Sequence, residues 1–123
     1  MNNSISISAY SWPGIGLTEE NIINLIMLSF GLENREWITQ KSRKIGYVIP
    51  RQVLMTCLVD YLGYSVTAAA AVCGKDHATG THARMVIHQT LIFDRDYKDR
   101  VNRVLDECSR IYNALKEERK TND

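Results

Sequence analysis

The sequence has no apolar run near the roughly 18 residues that cross a bilayer. Its N-terminus also lacks a basic run followed by an apolar core and a small-residue cleavage site. A soluble, cytoplasmic chain is therefore expected. Cysteine is scarce: the three present, Cys57, Cys73 and Cys108, are too few and too widely spaced for a disulfide framework. With no C-x-x-C pair, reduced thiols in apolar surroundings are expected. Strong net charge is missing too, since a formal +1 does not by itself indicate a nucleic-acid partner. No G-x-x-x-x-G-K-S/T phosphate loop occurs, so no nucleotide and no other cofactor is expected. Internal repeats and low-complexity tracts are absent as well.

What remains is one domain's worth of chain: 123 residues, 45% hydrophobic and 24% charged, enough for a single modest core. Charge is unevenly placed. Arg35 to Arg84 holds seven basic residues against three acidic ones, whereas the chain from Asp94 onward holds eight of each and reads as a solvated helix surface.

The periodicity predicts an all-α fold of about six helices. Residues 1–17 read as an arm, 18–116 as the domain and 117–123 as a tail that frays. Thr18 caps a first helix that has Glu19 and Glu20 in its first turn, uses Ile22, Ile23, Leu25, Ile26 and Phe30, and stops at Gly31. A short second helix over Glu33 to Gln40 buries Trp37 and Ile38. A basic loop, "KSRKIGYVIP", follows, and Pro50 suits the first turn of a third helix through Val53, Leu54, Cys57, Leu58, Tyr61 and Leu62. Ser65 caps a short fourth helix, "VTAAAAV". Asp76 caps a fifth that continues through Met85, Val86 and Leu91. A long last helix from about Asp96 carries a stripe of Tyr97, Val101, Val104, Leu105, Cys108, Ile111, Tyr112 and Leu115.

The stretch "CGKDHATGTHAR", Cys73 to Arg84, concentrates hydrogen-bonding groups among small residues at the start of that fifth helix. Two short helices joined through Gly74 have the dimensions of a helix-turn-helix, whose second helix brings its N-terminal residues to base edges in the major groove. Lys75 can meet a phosphate, and Asp76 can cap or accept from a cytosine amino group. His77 and Thr79 can bond base edges, and the Ala78 methyl can touch a thymine methyl. The same residues also suit a plainer reading in which Asp76 only caps, and Lys75 and the histidines are ordinary surface groups. Gly80, which costs a helix about 1 kcal/mol relative to alanine, implies a close approach by DNA or by another helix. Cys73, His77 and His82 do not form a metal set, because five residues separate the histidines and no second cysteine pair completes a zinc site. Cys73 with His77 lacks any specified oxyanion hole, so no enzyme activity is expected.

"SRKIGYVIPRQV", an apolar helix, a Ser-capped short helix and "GKDHATGTHA", in that order, resemble the C-terminal DNA-binding domain of the bacterial replication initiator DnaA. That family's signature reads about G-R/K-D-H-S/T-T, two variable positions, then H-A. Gly74, Lys75, Asp76, His77, Thr79, His82 and Ala83 match it. Pro50-Arg51-Gln52 matches the family's Pro-Arg-Gln, and the resemblance runs from about Thr18 to Leu115. It implies a Trp-repressor-like, DnaA C-terminal-domain-like fold, recognition of double-stranded DNA, and a role in replication or transcription control at the nucleoid. Asp76, His77, Ala78 and Thr79 would read bases, and Arg51 and Gln52 would grip phosphates. Within the basic loop of Lys41, Arg43 and Lys44, Arg43 or Lys44 would enter the minor groove. Ala78 stands where the family has a hydroxyl, Gly80 and Thr81 stand where it has aliphatic residues, Val86 stands where it often has a basic residue, and the turn before Lys75 is one glycine shorter. The short fourth helix also lacks the family's usual proline, acidic residue and phenylalanine. The competing expectation is a degenerate helix-turn-helix that binds protein. The arm with Tyr10 and Trp12, together with the long last helix, leaves a homodimer or a replication protein open as partner.

Overall fold

A computed structural model describes residues 17–39, 45–89 and 91–122. The described residues form six helices and no strand: α1 Glu19–Phe30, α2 Glu36–Thr39, α3 Ile45–Leu62, α4 Val66–Val72, α5 His77–His88 and α6 Arg95–Asn122. The all-α expectation holds. No helix among these residues is long and apolar enough to cross a membrane. The arm residues Tyr10 and Trp12, and the basic residues Lys41, Arg43 and Lys44, lie outside the described residues.

Capping chemistry sets most boundaries. Thr18 accepts from the Asn21 N–H at 3.1 Å, and Ser65 accepts from the Ala68 N–H at 3.0 Å, so each satisfies a donor that its helix leaves open. The end of α4 is a Schellman turn: Gly74, at φ 67°, donates to Ala71 O, and Lys75 N–H donates to Ala70 O. At α6 the cap is Asp94, whose Oδ1 accepts from the Tyr97 N–H at 3.0 Å.

Three helices differ in their bounds from the sequence expectation. Helix α3 begins at Ile45, so Pro50 is its sixth residue rather than part of its first turn. The proline deprives the Gly46 carbonyl of its helical partner, yet the ring is fully buried. Packing thus outweighs a local signal. Helix α2 is a single turn, opened by the Asn34 Oδ1, which accepts from the Glu36 N–H. Helix α5 ends at His88, and Leu91 N–H then donates to Val86 O, leaving Leu91 exposed while Ile92 is buried. Helix α6 runs to Asn122.

Helix α3 is the axle of the domain, packed against α1, α2, α4, α5 and α6. The unbroken run Val53, Leu54, Met55, Thr56, Cys57, Leu58 is buried, which marks a helix surrounded on all sides rather than an amphipathic surface helix. Thr56 fits there because its hydroxyl donates to Gln52 O at 2.8 Å. Around this axle sit Ile22, Ile23 and Ile26 of α1, Ile38 of α2, Ala69 and Ala70 of α4, Ala83 and Ile87 of α5, and Val101, Val104 and Cys108 of α6. A polar tie joins α1 to α6: buried Ser29 donates to Arg100 O at 2.8 Å, and Arg100 Nη1 returns a bond to Ser29 O at 2.6 Å.

Candidate functional site

Helices α4 and α5 pack on each other and on α3, joined by the turn Cys73 to Asp76. Their close fit depends on Gly80. A Cβ built there would lie 2.9 Å from Val66 Cγ1, 3.1 Å from Ala70 Cβ and 3.2 Å from Val66 O. The close approach expected at Gly80 is therefore that of α4. Gly80, Ala83 and Ile87 form the buried side of α5.

On the other side, Asp76, His77, Ala78, Thr79, Thr81 and His82 are all exposed. Asp76 Oδ1 accepts from the Thr79 N–H at 2.9 Å, confirming it as the cap of α5. That bond to the charged form holds its carboxyl below the usual range, so a carboxylate stands at the start of the helix. His77 Nδ1 lies 3.0 Å from Thr67 Oγ1, across the turn on α4. Lys75 is half-buried at the C-terminal turn of α4, and Gln52 is half-buried on α3. The structure thus gathers Lys75, Asp76, His77, Ala78, Thr79 and His82 around one helix start.

Over 72 residues the chain is 33% identical to the chromosomal replication initiator protein DnaA of Pseudothermotoga lettingae. The match takes in 58% of this chain but only 16% of that protein's length. No family model matches the chain, and no solved structure does. A relationship to DnaA over part of the chain is what these comparisons support.

Arg51 departs from the sequence expectation of a phosphate grip. Only 3% of it is exposed, and its Nε donates to Tyr47 O at 3.2 Å. Burial pulls its pKa down, partly offset by Cys73 close by in the turn. The side chain is enclosed because the other helices pack around α3 at this position. Arg51→Ala should lower stability by about 2 kcal/mol in a denaturant titration, through the lost buried bond and lost packing. Arg51→Lys should recover part of the loss.

Cys73 is fully buried, and burial pushes its thiol up to about 12 against the opposing pull of Arg51 and Lys75. A thiol so protonated is a packing group near neutral pH. Among the described residues, no group of three or more His, Cys, Asp or Glu side chains converges to hold a metal ion.

Asp60 had no place in the sequence reading. From α3 its Oδ1 accepts from Arg84 Nη2 and its Oδ2 meets His88 Nε2, both at 2.8 Å, so it fastens the C-terminal half of α5. Arg84 belongs to the basic excess counted along the chain, yet here its charge is paired. Only the fold brings positions 60, 84 and 88 together, so spacing could not have revealed the clamp.

Proposed function

We propose that α4 and α5 act as a helix-turn-helix that binds double-stranded DNA with sequence preference and carries out no catalytic chemistry. The observation that carries this reading is the asymmetry of α5: Gly80 and Ala83 lie on its buried side, while a carboxylate, two histidines and two threonines are exposed around its first turns. A helix start free of bulky side chains can enter a major groove closely, with His77 and Thr79 at base edges and Ala78 against a thymine methyl. Lys75 takes a phosphate, and Gln52 is a second candidate for the backbone. The partial similarity to DnaA supports replication or transcription control as the setting, and DNA as a partner implies residence at the nucleoid.

Selection of bound duplexes from a random pool, at low and at near-physiological salt, tests the reading. An enriched motif that survives the higher salt supports it. In binding titrations, Lys75→Ala should weaken all duplexes alike and reduce the salt slope by about one, while His77→Ala should cost about 1–3 kcal/mol at one or two base pairs only. Equal losses on specific and random duplex for both variants would remove His77 from base reading.

The exposure of Phe93, at 93%, beside exposed Leu91 favours a second reading, a protein-binding module. Binding that is insensitive to salt, with no enriched motif, would select it.

A further inference from the structure

The hydroxyl of Thr67 behaves unlike those of two other helical threonines in this chain. Thr39 and Thr56 donate to carbonyls of their own helices, at Glu36 O and Gln52 O. Thr67 sits in the first turn of α4, where the residue four positions back, Gly63, lies outside any helix. Freed from the usual bond to its own helix, the Thr67 hydroxyl reaches across the turn to His77 Nδ1 at 3.0 Å.

This bond uses one of the two ring nitrogens of an exposed histidine at the first position of α5. The two nitrogens flank Cε1 and direct their hydrogen bonds along widely divergent lines, so with Nδ1 anchored on Thr67 of α4, Nε2 is left for a different partner. A hydroxyl can donate or accept, and a neutral imidazole carries its proton on only one nitrogen. If the hydroxyl donates to Nδ1, the proton sits on Nε2, and His77 presents a hydrogen-bond donor outward. Both residues are exposed, so the bond contributes little to folding. Its consequence is orientation, and it strengthens when a ligand excludes water.

We propose that Thr67 is a positioning residue for His77. It fixes the ring and the Nε2–H tautomer, so that His77 selects a base edge bearing an acceptor, such as N7 or O6 of guanine or O4 of thymine. This rests on the DNA-binding reading above. It adds a specificity determinant on the first helix of the pair, which is not the helix that enters the groove.

The test pairs nitrogen-15 NMR of the histidine rings in the free protein with duplex selection, for wild type, Thr67→Val, Thr67→Ser and His77→Ala. Expected in wild type are the Nε2–H tautomer at His77 and an enriched motif. Thr67→Val should keep the thermal midpoint and the salt slope. It should lose roughly five- to tenfold discrimination at the same base pairs as His77→Ala, with the His77 nitrogen shifts moving toward those of a free histidine. Thr67→Ser, which keeps the hydroxyl, should restore both. A wild-type motif with unchanged discrimination and unchanged nitrogen shifts in Thr67→Val would overturn the role of Thr67 and leave DNA binding standing. Absence of any motif in wild type would overturn the DNA reading and this inference with it.

Discussion

Leu54→Ala should destabilise the protein by about 2–5 kcal/mol, a large share of the roughly 5–15 kcal/mol that holds a domain of this size folded. Leu54 is fully buried in the stretch of α3 where consecutive residues are enclosed, so neighbouring helices surround the site. Truncation there removes apolar contact and leaves a cavity that α1, α5 and α6 cannot all collapse into without breaking their mutual packing. The midpoint of a urea titration reads the loss, with Leu28→Ala as the control. Leu28, 56% exposed on α1, should change stability by no more than about 0.5 kcal/mol. A Leu54 effect as small as the control's would mean that α3 is not the centre of the domain.

Gly80→Ala should lower stability by about 1–3 kcal/mol even though alanine is the better helix former. The new methyl would press on Val66 Cγ1, a short and stiff β-branched side chain, and on the Val66 carbonyl, which belongs to the backbone of α4. Neither yields unless the two helices separate. Because the pair is the proposed DNA-binding unit, the same substitution should also erode motif discrimination in the duplex selection. Gly46 supplies the opposite sign. Nothing lies within 4 Å of a Cβ built there, and it sits near the start of α3. Gly46→Ala should therefore stabilise by about 0.4–1 kcal/mol in the same titration. Matching signs at the two glycines would show that helix propensity, rather than the contact between α4 and α5, governs position 80.

Much of the fold is legible in the sequence. Local rules place a cap wherever a short polar side chain precedes an apolar run, and Thr18, Ser65 and Asp76 obey them because each bond closes within three residues. Gly31, Gly63 and Gly74 end their helices in the left-handed conformation open to glycine. The stripe of α6 was also legible: Val101, Val104, Cys108 and Ile111 recur at helical spacing and are buried. The start of α3 was hidden because proline is a local signal, and packing of the buried Pro50 ring overrode it.

The sequence by itself determined the helical class, the caps that bracket α4 and α5, and the outward residues of the α5 start, since these follow from contacts a few residues apart. Tertiary structure alone decided that Arg51 turns inward, that Gly80 serves the contact with α4, that Asp60 clamps Arg84 and His88, and that Thr67 holds His77. Most of those facts join positions ten or more residues apart, where periodicity carries no information. Even Arg51, whose bond to Tyr47 is local, was buried by the helices that close around α3.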